Sequence, residues 1–345
     1  MNATMPLESV KHYPVMLNQI LSILSPQHGG TFIDCTFGGG GYSKAILKYP
    51  NTRVIAFDRD ALAEEKAKIL LNKFPRRFNF FKDKFSNINK AIKSNLDLKA
   101  IIFDLGLSSH QLEDKKRGFS FQSNSFLNME MGINERSAYN VINTLDKQYL
   151  GNIIKLLGEE KDGKIIANKI AKYRSTKKIS SSQELASIIK RVKEGKKKYK
   201  KNPATKTFQA IRIFVNKELT ELISGLIEAT KLLPAGGILI VISFHSLEDK
   251  IVKSFFNLYS NFKKNPSRYL PINKEAKNLF KLLLKKPLIP TLDEVEKNIR
   301  SRSAKLRYGI RNEKSFFLPE EFKKKFETYL KLEEIILWVQ IQTNG

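Results

Sequence analysis

Cysteine is nearly missing from this chain of 345 residues, which holds only Cys35. A single thiol excludes an intrachain disulfide and any Cys-rich zinc centre, so a reducing, cytoplasmic setting is expected and no metal is. Long apolar runs are lacking as well. No stretch approaches the ~20 residues needed to cross a bilayer, and the first residues, MNATMPLESVKHYP, lack the basic-then-apolar layout of a signal peptide. Neither a membrane partner nor secretion is expected. Acidic residues are few beside basic ones: 34 Asp and Glu stand against 61 Lys and Arg, a formal net charge of +27. Such a surplus favours a polyanionic partner, because each neutralised phosphate releases condensed counterions. An AT-rich genome would also enrich Lys, Ile, Asn and Phe, but the basic residues here cluster, as in KEGKKKYKK at 193–201.

What is present is most informative at 31–47, TFIDCTFGGGGYSKAIL, followed by VIAFDRD at 54–60. An apolar strand ends in Asp34, turns through Gly38, Gly39, Gly40 and Gly41, enters a helix, and is followed by a second strand ending in Asp58. Glycines let a backbone approach a ligand closely, and an acid closing the next strand suits the two hydroxyls of a ribose. The run does not spell G-x-G-x-x-G, which counts against a dinucleotide-binding oxidoreductase. The additional acid Asp34 fits a cationic ligand such as S-adenosylmethionine, which needs no phosphate cradle. A Gly-rich loop with two capping aspartates is the plainer alternative.

Strand-like runs at 31–35, 53–57, 78–82 and 100–103 alternate with helical patterns at 14–24, 42–49 and 60–72, which predicts an α/β fold with a parallel sheet covered on both faces. The alternation then stops. Helical segments at 147–157, 164–173 and 182–192 follow with no convincing strand, then one long helix over 207–233 and the buried-strand run ILIVIS at 238–243. This predicts a Rossmann-like sheet interrupted by an all-helical insertion, with boundaries at 1–113, 114–216 and 217–345. After the last strand, Ser246 and Asp249 are spaced as a capping box. Segments at 279–286 and 303–310 suggest an edge hairpin, and the tail carrying Phe322, Phe326, Ile336 and Trp338 reads as helical.

In open α/β sheets ligands bind beyond the carboxyl ends of the strands, so the loops at 34–43, 58–60, 83–86, 104–111 and 243–246 should converge. Their order and wording resemble the bacterial small-subunit ribosomal RNA cytosine-N4 methyltransferases, the RsmH or MraW family. The resemblance spans nearly the whole chain and is carried by KHYPVML, TFGGGGYS, AFDRD, FDLGLSSHQL, RGFSF, GEE, PATKTFQAIRIFVNKEL, SFHSLED and RSAKLR. It implies a class I methyltransferase sheet with an inserted helical substrate domain, S-adenosylmethionine as cofactor, and methyl transfer to N4 of a cytidine in the decoding region of 16S ribosomal RNA. The substrate is expected within the small ribosomal subunit, and the family suggests a homodimer. By the same resemblance Gly40, Gly41 and Tyr42 belong to the cofactor-contacting turn, Asp58 to the ribose, Phe85 to the adenine, and Asp104 and Gln111 to further cofactor contacts. The chain departs from the family in having Asn128-Met129-Glu130-Met131 where an acid-Met-Arg-Met pattern is common.

The exocyclic amine of cytosine is a poor nucleophile, so acceptors that hold its hydrogens at the right place do most for it. Amino-methylating DNA enzymes carry such acceptors, and an aromatic residue, at the end of the fourth strand. Asp104 occupies that place. His245, at a strand end beside the same crevice, is the second catalytic candidate, against a purely structural histidine. For RNA, Lys196, Lys197, Lys198, Lys200 and Lys201 are expected to hold phosphates, with Phe208 and Arg212 facing bases and Phe119 a further stacking candidate. A non-catalytic RNA-binding protein is the rival reading.

Overall fold

A computed structural model describes residues 14–92, 96–121, 124–134, 136–194, 202–260, 278–317 and 320–335. The chain begins with α1 (Leu17–Leu24), β1 (Gly30–Asp34), α2 (Gly41–Ile46), β2 (Thr52–Phe57), α3 (Ala61–Lys73), β3 (Phe78–Phe81), α4 (Ile88–Ala91) and β4 (Leu98–Asp104). Seven helices follow: α5 (Ser109–Glu113), α6 (Ala138–Thr144), α7 (Lys147–Leu157), α8 (Gly163–Arg174), α9 (Ser182–Lys193), α10 (Thr205–Asn216) and α11 (Glu218–Leu232). Then come β5 (Ile238–Ser243), α12 (Ser246–Leu258), β6 (Phe280–Lys281), α13 (Leu292–Lys297), β7 (Lys305–Arg311) and α14 (Glu320–Glu333). The strands form one sheet in the order β3-β2-β1-β4-β5-β7-β6. β1 to β5 are parallel, while β7 and β6 pair antiparallel at the edge.

The sheet buries both faces, as its near-continuous apolar strands require. Alternate residues feed two cores. Ile33, Phe57, Ile101, Phe103 and Val241 point into one that continues through Ile153, Phe208 and Phe214 of the helical region to Phe322 and Phe326 of α14. Phe32, Ala56, Ile102 and Ile242 point into the other, closed by Ile20, Ile46 and Leu70. Helical region and sheet thus share a hydrophobic core. Among the described residues no helix is long and apolar enough to cross a membrane.

Two local expectations need correction. The single helix expected over 207–233 is two, α10 and α11, broken at Lys217, whose φ of 49° is left-handed. The cause is Asn216, whose buried amide donates to Met129 O (2.9 Å) and Arg212 O (2.8 Å) and accepts from Met131 N (2.9 Å). These bonds tether the chain where a continuous helix would carry it away. The second concerns α12. Its N-cap is His245, not Ser246, and the reciprocal partner is Glu248, not Asp249.

α14 locks the helical region from outside. Its Glu333 carboxylate accepts from Leu219 N (3.1 Å), Thr220 N (2.8 Å) and Thr220 Oγ1 (2.6 Å), satisfying donors of the first turn of α11. Arg136, ahead of α6, donates to Phe214 O (3.0 Å), Glu333 O (2.6 Å) and Ile335 O (2.6 Å). Ile336 and Trp338 lie outside the described residues.

Candidate active site

β1 leads toward β2 and β3 on one side, and β4 toward β5 on the other, so the winding reverses between β1 and β4. A cavity of about 940 Å³ opens there, at the carboxyl ends of the strands. Its lining includes Gly38, Gly39, Gly41, Tyr42, Asp58, Phe85, Asp104 and Gln111, so most of the residues expected to contact the cofactor converge on it. Asp34 and Gly40 are not in the lining and stand behind it.

The glycine turn is shaped by its own packing. Gly40 has φ 73°, and a Cβ there would lie 2.7 Å from the Phe37 ring, so only glycine fits. Asp34 braces the turn from below, accepting from Ser43 Oγ (2.7 Å) and Thr36 N (3.3 Å). Burial pushes its carboxyl up to about 6. Asp58 accepts from Gly38 N (2.7 Å) and Asp60 N (2.9 Å), one bond to each oxygen. Burial raises its pKa although both bonds favour the anion. Each oxygen retains a lone pair for a hydroxyl donor. If Asp58 holds a ribose, Asp58→Ala should weaken cofactor binding by about 1.5–3 kcal/mol, the range for a hydrogen bond to a charged group. Calorimetry on the folded variant measures this, and unchanged affinity removes Asp58 from the ribose site.

Asp104 ends β4 beneath the cavity. Its backbone N–H donates to Thr36 Oγ1 (2.7 Å), which joins the β4 and β1 loops. The Tyr42 hydroxyl donates to Val15 O (2.6 Å) and lies 3.3 Å from Asp104 Oδ2, while Asp104 Oδ1 is buried with no hydrogen-bond partner among the described residues. Burial, reinforced by the charge of Asp34, pushes the Asp104 carboxyl up to about 8. A buried acceptor left without a donor costs ~1–3 kcal/mol, so this oxygen is suited to a cationic or N–H-bearing ligand.

The neighbouring loops are braced with equal care. Gln111 Nε2 donates to Asp60 Oδ2 (2.7 Å), and its Oε1 accepts from Ser108 N (2.9 Å). Arg117 pairs with the same Asp60 oxygen at 2.5 Å. Burial opposes ionisation of Asp60, but the bonds from Gln111 and Arg117 outweigh it and hold the carboxyl below its usual range. Phe85 meets Phe103 edge-on, with centroids 5.1 Å apart. Its loop is anchored by Glu221, which accepts from Ser86 N and Ser86 Oγ, both at 2.9 Å.

Other expected site residues fall elsewhere. His245 is not in the cavity lining. Its Nδ1 accepts from Glu248 N (3.4 Å), and its Nε2 stands 3.1 Å from Glu248 Oε1, so the imidazole is used in capping α12. Phe208 and Phe119 are core residues, 5% and 7% exposed, and neither lines the cavity. Periodicity could not separate their buried face from a ligand-facing one. Arg212 does not face outward, because its guanidinium grips Glu218 through two bonds of 2.8 Å. Lys196, Lys197, Lys198, Lys200 and Lys201 lie outside the described residues. Glu218, His245 and Glu248 bring ligand atoms within 4.8 Å of one another, but Glu218 is already paired with Arg212 and Glu248 with the His245 cap.

Several lining residues were not singled out in the sequence, although Lys84 and Phe244 lie in loops expected to converge there. Phe244, Glu218 and Glu248 reach the cavity from the β5 side, and Lys44, Lys48, Lys84 and Arg300 ring its mouth. Burial opposes ionisation of Glu248, but His245 and Arg212 outweigh it and keep the carboxyl below its usual range.

The model of the MraW methylase family matches residues 9–311, ending before α14. A protein of Ehrlichia ruminantium (strain Welgevonden) named ribosomal RNA small subunit methyltransferase H is 44% identical over 301 residues, covering 86% of this chain and 98% of that one. One of the same name from Orientia tsutsugamushi (strain Boryong) is 42% identical over 306 residues, covering 87% and 98%. Among solved structures, an rRNA methylase from Streptococcus thermophilus aligns over 85% of this chain and 96% of that one, at 10% identity and a TM-score of 0.38.

Proposed function

We propose a function that starts from one fact: the chain belongs to the MraW methylase family. It is a methyltransferase that uses S-adenosylmethionine to methylate the N4 amino group of a cytidine in 16S ribosomal RNA. The observation that carries this reading is the Asp104 carboxyl, buried at the reversal of the sheet with one oxygen unpartnered among the described residues, beside a glycine turn and a second strand-end acid.

When bound, S-adenosylmethionine supplies a methyl group made electrophilic by a sulfonium. The chain supplies the rest. Asp58 offers its free lone pairs to ribose hydroxyls, Phe85 gives an apolar wall for the adenine, and Asp104 meets positive charge with a carboxylate once its proton has left. The target amine needs to be held in line. Its proton becomes acidic only as the new bond forms, so acceptors at Asp104 and the carbonyls after it suffice without a strong base.

The RNA approaches through the basic rim. Lys44 and Lys48 are exposed, one turn apart, and line the mouth with Lys84 and Arg300. We take the helical stretch 114–216 as the unit that recognises the RNA and the assembled small subunit, in the cytoplasm, as the substrate. Lys44→Gln with Lys48→Gln should flatten the dependence of log K for RNA on log salt by ~0.7 for each phosphate no longer neutralised on single-stranded RNA, and leave cofactor affinity unchanged. An unchanged slope would assign the two lysines to plain solvation. The function itself is tested by methyl transfer from labelled cofactor to small subunits and to naked ribosomal RNA, with the modified nucleotide mapped. Absence of RNA labelling would sink the proposal. Sedimentation velocity decides the homodimer that the family resemblance suggests.

A further inference from the structure

Four strand ends lie in a staggered row beneath the cleft: Asp34 is level with Ala56 and Ile102, so Asp58 and Asp104 stand one pleat beyond it, and Asp104 is level with Ile242, so Phe244 stands one pleat further out. In spatial order β2, β1, β4, β5, their terminal residues on one face of the sheet are Asp58, Asp34, Asp104 and Phe244. Each follows by two a residue of the same core: Ala56, Phe32, Ile102 and Ile242. Three acids are thus followed by an aromatic ring. With a ribose at Asp58 and the cationic end of the cofactor at Asp104, the next position along the row is where an acceptor base must arrive.

Phe244 suits that position in three ways. It lines the cavity and is only half-buried, packing partly against the core below. Its backbone is fixed, since Phe244 N donates to Glu248 Oε2 (2.8 Å), and that carboxylate is in turn held by the His245 cap. Its ring faces Gly106, at φ 93°, where a Cβ would touch Phe244 Cδ2 at 3.4 Å, so any larger residue would lie against the ring. The loop after β4 itself brings no aromatic residue to the site, since it reads Leu105-Gly106-Leu107. The other aromatic residues of the lining are occupied or misplaced. Phe37 is packed against Phe78 and Phe80, the Tyr42 hydroxyl is bonded to Val15, and Phe85 packs edge-on against Phe103, in the core on the other face of the sheet.

We propose that Phe244 is the platform on which the target cytosine stacks while its N4 amine is presented beside Asp104. The proposal rests on the methyltransferase reading. It makes Phe244 a substrate-contacting residue, and Glu248, His245 and Arg212 positioning residues that hold it.

Phe244→Leu, which keeps an apolar side chain over the core, should lower kcat/KM for RNA by roughly 5- to 100-fold, the loss of one base–aromatic stack. Cofactor affinity by calorimetry should stay within twofold, and Phe244→Tyr should retain most activity. Phe244→Trp gives a readout independent of turnover. The chain has one native tryptophan, so the new indole emission is read as a difference from wild type and should be quenched by RNA containing the target cytidine. Quenching should be much weaker with the same RNA carrying uridine there. Normal methylation by Phe244→Leu, parallel loss of cofactor binding, or no quenching in Phe244→Trp overturns the platform. Wild type that labels no RNA overturns the methyltransferase reading instead, and the two failures are thereby distinguishable.

Discussion

Asp104→Asn is expected to weaken S-adenosylmethionine binding by roughly 30-fold or more, in the range for truncating a buried charge partner, and yet to leave the ligand-free protein more stable at pH 9 than the wild type. Both effects come from one buried carboxyl. Its folded-state pKa of about 8 lies far above the ordinary value of 3.8, so between those limits the native state holds a proton that the unfolded state has lost. Native stability from this group is therefore full below pH 4 and declines as pH rises toward 8. Asp34, raised to about 6, and Glu333, raised to about 7, act in the same direction. Asparagine mimics the protonated acid, so the variant should match wild type below pH 4 and exceed it increasingly as pH rises to 9. A cationic ligand reverses the preference. It favours the carboxylate, so wild-type affinity should rise between pH 6 and 8 with proton release, and Asp104→Asn should lose most of that rise. Thermal melts at the two pH values and calorimetry in buffers of different ionisation enthalpy measure both parts. A variant with wild-type affinity and the same pH profile would make Asp104 a structural residue.

Arg136→Ala should cause the largest loss of stability, about 3–5 kcal/mol, because it removes the donors to three main-chain carbonyls at once. Arg136 is 7% exposed, and its guanidinium also lies 3.8 Å from the centroid of Phe214. No water can replace it without opening the junction of α10, α11 and α14. At ~2–4 °C per kcal/mol for a large domain the melting temperature should fall by roughly 10 °C. Arg136→Lys should recover only part, since an ammonium cannot reproduce the planar fork. A shift under about 2 °C for the alanine variant would mean that α14 holds the junction through Phe322 and Phe326 alone.

What the sequence made legible follows from range. The parallel strands β1, β2, β4 and β5 announced themselves as apolar runs, and α7 as an amphipathic repeat, because these signals are local. Asp34, Asp58 and Asp104 were readable as strand-end acids for the same reason, although only the fold shows that Asp34 braces the turn behind the cavity. The break at Lys217 was not readable, since it depends on Asn216 bonding to Met129 and Met131, far away in the chain. SFHSLED offers two overlapping capping boxes, and backbone conformation selects His245 with Glu248. Aromatic residues misled most. Phe208 sits in a helix whose apolar face looks the same whether it meets core or ligand, whereas Phe244 reads as the tail of a buried strand.

The sheet is also assembled out of order in time. β4 pairs with β5, which is made roughly 130 residues later, and at ~5–20 residues per second of synthesis its open edge waits on the order of ten seconds for that partner. An unpaired, apolar, central strand is an invitation to wrong pairing. Asp34, Asp58, Asp104 and the glycine turn all belong to the segment made first, whereas Phe244 and Glu248 arrive with or after β5. The half of the cleft assigned to the methyl donor is therefore present on the nascent chain while the half assigned to the acceptor is still being translated. Cofactor binding to that early segment would help to keep the waiting edge in register.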